Sequence, residues 1–186
     1  MHIAIDARII NSTTGRYIER LLTYLEQLES PHTFSVIVRK KDVDYWVPTN
    51  PKFTVVVADY KPYSFGEQIG FYAFLLRLKP DLVHFCMPQQ PFFYTAPAVT
   101  TVHDLTLLRI TENDDMSSAT LGFKKRIFRE LLHTVLRRAV HIITPTNYVR
   151  DDVLEFHPIK PERISVTYES ADRIADVVEP VSAYKS

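Results

Sequence analysis

Glycine is scarce in this sequence. Only Gly15, Gly66, Gly70 and Gly122 occur, and their spacing excludes several functions at once. No G-x-G-x-x-G precedes a helix, which weighs against a dinucleotide-dependent oxidoreductase. No G-x-x-x-x-G-K-[ST] cradles a nucleotide triphosphate, and no G-x-S-x-G presents a nucleophilic serine. Cysteine is nearly absent too. Cys86 is the single thiol, so an internal disulfide and a cysteine-based zinc cluster are both excluded, and a reducing cytosol is the expected setting. Its apolar neighbours, Leu82, Val83, Phe85 and His84 between them, suit a small buried residue better than a reactive one. The chain has no surplus of either charge, with Lys plus Arg and Asp plus Glu at 22 each. A dedicated nucleic-acid binder shows a basic excess, so that class is disfavoured. No run approaches the roughly 20 apolar residues of a membrane span. The opening Met1-His2-Ile3-Ala4-Ile5 has neither the basic start nor the apolar core of a secretory signal. The expectation is a cytoplasmic protein, soluble or attached to the inner face of a membrane.

What is abundant is apolar and aromatic. Hydrophobic residues make up 46% of the 186, enough to build a core and too many for a disordered chain. Their spacing alternates between short strand-like runs and helical periods. Residues 3–6, 34–38, 53–57, 82–85, 98–102, 140–143 and 163–166 read as strands. Tyr17, Ile18, Leu21, Leu22, Leu25 and Leu28 mark one helix face, ended by Ser30-Pro31-His32. Ser64-Phe65-Gly66-Glu67 has capping-box spacing. The helix that follows to Leu78 is apolar nearly all round, so it is expected to be well buried. Residues 117–138 predict the longest helix and 147–156 a short one, with a loop or short helix at 40–51. Repeated strand–helix–strand crossings imply a Rossmann-like, mainly parallel sheet with helices on both faces.

Ligands bind such sheets beyond the carboxyl ends of the strands. The candidate segments are therefore 7–15, 86–90, His103-Asp104 and 144–147. In the first, small hydroxylated residues lead to Gly15 and a helix N-terminus, which suits a diphosphate, with Arg16 as an added charge. The competing reading is an ordinary capped loop. His103, with Asp104 beside it, can orient a sugar hydroxyl or move a proton, or can be a structural histidine near a helix start. His84 is read as core or as support for the site. The histidines show no metal-ligand spacing, so no metal is expected. Lys124, Lys125, Arg126 and Arg129 form a basic cluster. It is a solvated face or a contact for anionic lipid headgroups or a charged acceptor.

Several ordered segments resemble family 4 glycosyltransferases. They are Ile3-Ala4-Ile5-Asp6-Ala7-Arg8 with Gly15-Arg16-Tyr17, Glu67-Gln68, the run from Leu78-Lys79-Pro80-Asp81 to Phe85, Thr101-Val102-His103-Asp104-Leu105, Ile142-Ile143-Thr144-Pro145-Thr146-Asn147, and Pro161-Glu162-Arg163-Ile164. The resemblance implies the N-terminal, acceptor-side half of a GT-B fold over residues 1–172, with 173–186 as the start of an interdomain linker or tail. It implies a retaining, metal-independent transfer of a sugar from a nucleotide-sugar donor to a saccharide or lipid-linked acceptor, with no cofactor. By the same resemblance Gly15 and Arg16 approach the donor diphosphate and His103 serves the transferred sugar. Met87, Gln89, Gln90, Phe92 and Asp104 then border the acceptor, with the 104–115 loop. Thr13-Thr14 stand where the family often has a further glycine, a departure that bears on donor approach. The family's donor-binding second domain is not among these residues, so the domain alone is expected to be inactive. The alternative is a freestanding, non-catalytic module that binds a glycan or a protein.

Overall fold

The computed structural model describes residues 1–109 and 118–169. The chain begins with strand β1 (His2–Asp6), helix α1 (Gly15–Gln27), β2 (Thr33–Val38) and β3 (Phe53–Val57). A π-helical turn, Glu67–Phe71, then runs into α2 (Tyr72–Leu78), followed by β4 (Leu82–Phe85) and β5 (Ala98–Thr101). Helices α3 (Thr106–Arg109) and α4 (Ser118–Arg138), strand β6 (His141–Thr144), α5 (Asn147–Phe156) and β7 (Ile164–Val166) complete the order. The seven strands form one sheet in the order β3-β2-β1-β4-β5-β6-β7. Every pairing is parallel.

The alternation of side chains along each strand feeds two layers. Ile5, Val36 and Cys86 pack under α1 with Ile18 and Leu22. Their neighbours Ala4, Ile37 and Phe85 pack on the opposite face under α2 with Phe71 and Leu75. A third cluster joins Val102 and Ile142 to Leu132 and Leu136 of α4 and Val153 of α5. Each fully buried Leu, Ile or Phe contributes about 1.5–3 kcal/mol.

Two expectations need correction. The α2 region is not buried all round. Only Glu67, Phe71 and Leu75, one stripe at a spacing of four, are buried, while Ile69 is 72% and Leu76 52% exposed. The helix lies on one face of the sheet, and no described element covers its outer side. The capping box forms by half. The Ser64 hydroxyl accepts from the Glu67 amide at 3.2 Å, but the Glu67 carboxylate takes the Tyr63 amide at 3.0 Å instead of that of Ser64. Its other bonds, described below, draw it inward. The expected tail at 173–186 and much of the 104–115 loop lie outside the described residues. No described helix is long and apolar enough to cross a membrane.

Candidate functional site

The winding of the chain switches sides between β1 and β4, which stay parallel. From β1 the chain winds outward to β2 and β3, and then returns to place β4 on the other side of β1. The connections leaving β1 and β4 therefore part above their carboxyl ends and open a crevice. The residues that follow these strands, and those that follow β5, meet there.

His103 comes just after β5. Its Nε2 lies 3.0 Å from the Cys86 carbonyl oxygen, at the end of β4. A carbonyl only accepts, so Nε2 carries a proton. Nδ1 lies 3.2 Å from the Glu169 carboxylate, an ion pair when both ring nitrogens are protonated. The imidazole also meets the Tyr17 ring edge-on, with centroids 4.8 Å apart. Tyr17 belongs to the first turn of α1, so this contact joins the β1–α1 connection to the end of β5. The Tyr17 hydroxyl in turn bonds Thr101 Oγ1 at 3.0 Å, and the same oxygen bonds His84 Nε2 at 2.9 Å. Burial pushes the His84 imidazole down to about 4, against the pull of Asp6, with His103 adding to the depression. His84 is thus a neutral support beneath the site. Burial raises Tyr17, which keeps its phenol protonated, and it raises the Cys86 thiol well above its ordinary value, so Cys86 is inert.

A buried ionic cluster lies at the end of β1. Arg8 grips Asp6 with both Nε and Nη2, each at 2.8 Å. Nη2 also reaches Glu67 Oε1 at 2.8 Å, and Nη1 donates to the Tyr60 carbonyl at 3.2 Å. The guanidinium stacks 3.6 Å from the Phe71 ring centroid. All three charged side chains are buried. Burial alone lowers the Arg8 guanidinium, but Asp6 and then Glu67 outweigh it, and the net direction is upward. The second Glu67 oxygen accepts from the Tyr63 amide and from Gln89 Nε2. Tyr63 is held with φ at +61°, a left-handed conformation that costs a non-glycine residue about 1–2 kcal/mol. The sequence reading treated Glu67 as a helix cap; here it joins β1, the 60–64 turn and the loop after β4.

Gly15 stands where α1 backs onto the preceding loop. A Cβ there would lie 1.8 Å from the Ile10 carbonyl oxygen, so the absence of a side chain is needed for packing. Arg16 is exposed beside it in the first turn of α1. Thr14 precedes the helix without a side-chain cap bond, so the loop is not the capped type considered above. Asp104 is exposed and accepts from the Thr106 amide at 2.8 Å, which caps α3. Met87 is half-buried, and Gln89 and Gln90 are buried. Gln68 clamps their loop: its Oε1 accepts from the Phe92 amide at 2.8 Å and its Nε2 donates to the Gln90 carbonyl at 3.5 Å. Arg138 donates to the Phe92 carbonyl from the end of α4 at 2.6 Å. Gln89 and Phe92 line an apolar groove of about 930 Å³ that runs between the 63–68 turn and α4. His103 thus touches the end of β4 and, through Tyr17, the start of α1, Gln89 and Phe92 line the groove beside α4, and Asp104 turns its carboxylate to its own helix. Lys124 and Arg126 stand on the α4 wall of the groove.

Sequence reasoning missed Tyr17, Thr101 and Glu169. Tyr17 fitted the apolar period of its helix, which concealed its second contact. Thr101 entered only as the first residue of a segment that resembles the family, with no role attached, and Glu169 gave no signal. No group of three or more His, Cys, Asp or Glu able to hold a metal occurs among the described residues.

The family model described as Glycosyltransferase Family 4 matches residues 14–173. No curated protein compared with the chain matches it.

Proposed function

Because the chain belongs to glycosyltransferase family 4, we propose that it forms the acceptor-side half of a retaining, metal-independent glycosyltransferase. The reaction moves a sugar from a nucleotide-sugar donor to a saccharide or lipid-linked acceptor. The observation that carries this reading is the convergence on His103 of the β1–α1 connection, through Tyr17, and the end of β4, through Cys86.

The roles follow from that placement. His103 has Nε2 committed to Cys86, so Nδ1 is the edge left to meet the transferred sugar, in exchange for Glu169. Gly15 lets the start of α1 sit close to the crevice, where Arg16 and the positive end of the helix dipole favour the donor diphosphate. Met87, Gln89, Gln90 and Phe92 border the acceptor, with Asp104 at its edge. Rate enhancement then comes from stabilising the leaving diphosphate and holding the acceptor hydroxyl in line. Most donor contacts come from a second domain facing this one, so residues 1–186 alone are inactive. The setting is the cytoplasm, with peripheral contact at the inner membrane face through the α4 cations.

The test is a panel of nucleotide sugars offered to the full-length protein, with and without a chelator, with nucleoside diphosphate release and product linkage as readouts. Transfer with retained anomeric configuration, unaffected by the chelator, supports the reading. Absence of turnover with every donor overturns it.

A further inference from the structure

Two histidines face each other away from the crevice. His133 lies in the final turns of α4, and His157 caps the end of α5. Helix α5 leaves the carboxyl end of β6, and β7, parallel to β6, starts again at the amino end. His157 therefore belongs to the opposite end of the sheet from His103. The Nδ1 atoms of His133 and His157 are 3.1 Å apart. As a hydrogen bond, this contact needs a hydrogen on one nitrogen and a lone pair on the other.

Packing holds both residues in this arrangement. The His133 ring stacks on Phe156, with centroids 4.3 Å apart and planes 23° from parallel. The His157 amide donates to the Val153 carbonyl at 3.0 Å, which fixes the helix end that carries its ring. Both side chains are half-buried. The 3.1 Å separation also fits a shared metal ion. With metal–imidazole bonds of about 2.0–2.1 Å, it subtends roughly 95–100° at the metal, between the square-planar and tetrahedral angles. Imidazole nitrogen suits zinc, nickel and copper, whereas magnesium and calcium take oxygen. No group of three His, Cys, Asp or Glu among the described residues could hold a metal, so water completes the coordination. His133 borders a cavity of about 440 Å³, which leaves room for that water. Arg137 and Arg163 stand near His157 and oppose a dication. With only two protein ligands, the affinity is micromolar, well short of a closed structural site.

We propose that His133 and His157 form a two-histidine site for a divalent ion of the zinc, nickel and copper class, which clamps α4 to α5. The ring that carries the shared hydrogen moves it to its own Nε2, a change of tautomer, and both Nδ1 lone pairs then face the metal. The site is separate from His103 and independent of the transferase reading.

Nickel chloride and zinc chloride, each titrated by calorimetry into the chelator-treated full-length protein at neutral pH, test this. Both should bind, and magnesium chloride should not. His133→Gln and His157→Gln should each weaken binding at least about tenfold, because a single imidazole remains. His2→Gln, on β1, should leave it unchanged. Nickel should also raise the melting temperature of the wild type and not of either site variant. Both substitutions are at half-buried positions, and circular dichroism checks that the variants are folded. The wild-type titration can overturn the proposal by itself: no saturable binding of either ion below about 1 mM means that the pair shares only a proton. Binding retained in full by a folded His133→Gln or His157→Gln places the metal elsewhere and overturns it too.

Discussion

The ring of Tyr17 meets the imidazole of His103 edge-on, with centroids 4.8 Å apart. Its hydroxyl makes a separate bond to Thr101. Ring and hydroxyl therefore have different duties, and two substitutions separate them. Tyr17→Phe keeps the ring and should cost about 1 kcal/mol of stability for the lost bond, with transfer by the full-length protein within about threefold of wild type. Tyr17→Ala removes the support of the imidazole and should cut transfer at least tenfold, since small misplacements of a reacting group are expensive. Chemical denaturation and initial rates check both.

The cluster at the end of β1 holds two carboxylates against one guanidinium, all buried. Arg8→Met leaves both carboxylates without a counter-charge and should destabilise the domain by about 3–5 kcal/mol. Glu67→Gln leaves the Asp6–Arg8 pair balanced and should cost less. Urea midpoints of the two variants give the order, and a larger loss in Glu67→Gln would contradict it.

His84 should make the protein acid-sensitive. Its folded value of about 4 lies below the ordinary 6.5 of histidine, so between these values the unfolded chain binds a proton that the folded chain refuses. Stability from this group is full above about pH 6.5 and falls as pH drops toward 4, by roughly 3 kcal/mol in all. His157, lowered by burial and then by His133, adds loss of the same sign. His84→Gln should flatten, not abolish, the slope of unfolding free energy between pH 7 and 4.

Gly15→Ala should destabilise by about 2 kcal/mol or more, because its Cβ would meet backbone and not a yielding side chain. A thermal scan that shows no loss would mean the loop at Ile9–Ile10 moves aside easily.

Much of this fold was legible in the sequence because its signals are local. The strand runs and the α1 stripe of Ile18 and Leu22 follow from spacing alone, and each strand formed within about two residues of its expected bounds. Family membership was legible from the ordered segments, and the parallel sheet from the alternation. The exposure of Ile69 and Leu76 was not, because apolarity does not say which neighbours will cover it. Nor was the second role of Glu67. The bond from Arg8 spans 59 positions, and a capping pattern four residues long gave a sufficient local reason for the same side chain. His103 stood out because a histidine beyond a strand end lies where ligands bind. Its partners did not, since Cys86 contributes only a carbonyl and Glu169 is distant in the chain.

The most direct measurement is the transfer rate of full-length His103→Ala beside the wild type, with donor affinity and melting temperature measured on both. If His103 serves the transferred sugar, kcat falls by about 100-fold or more while the fold and donor affinity change little. A well-folded His103→Ala that transfers sugar at the wild-type rate would contradict it.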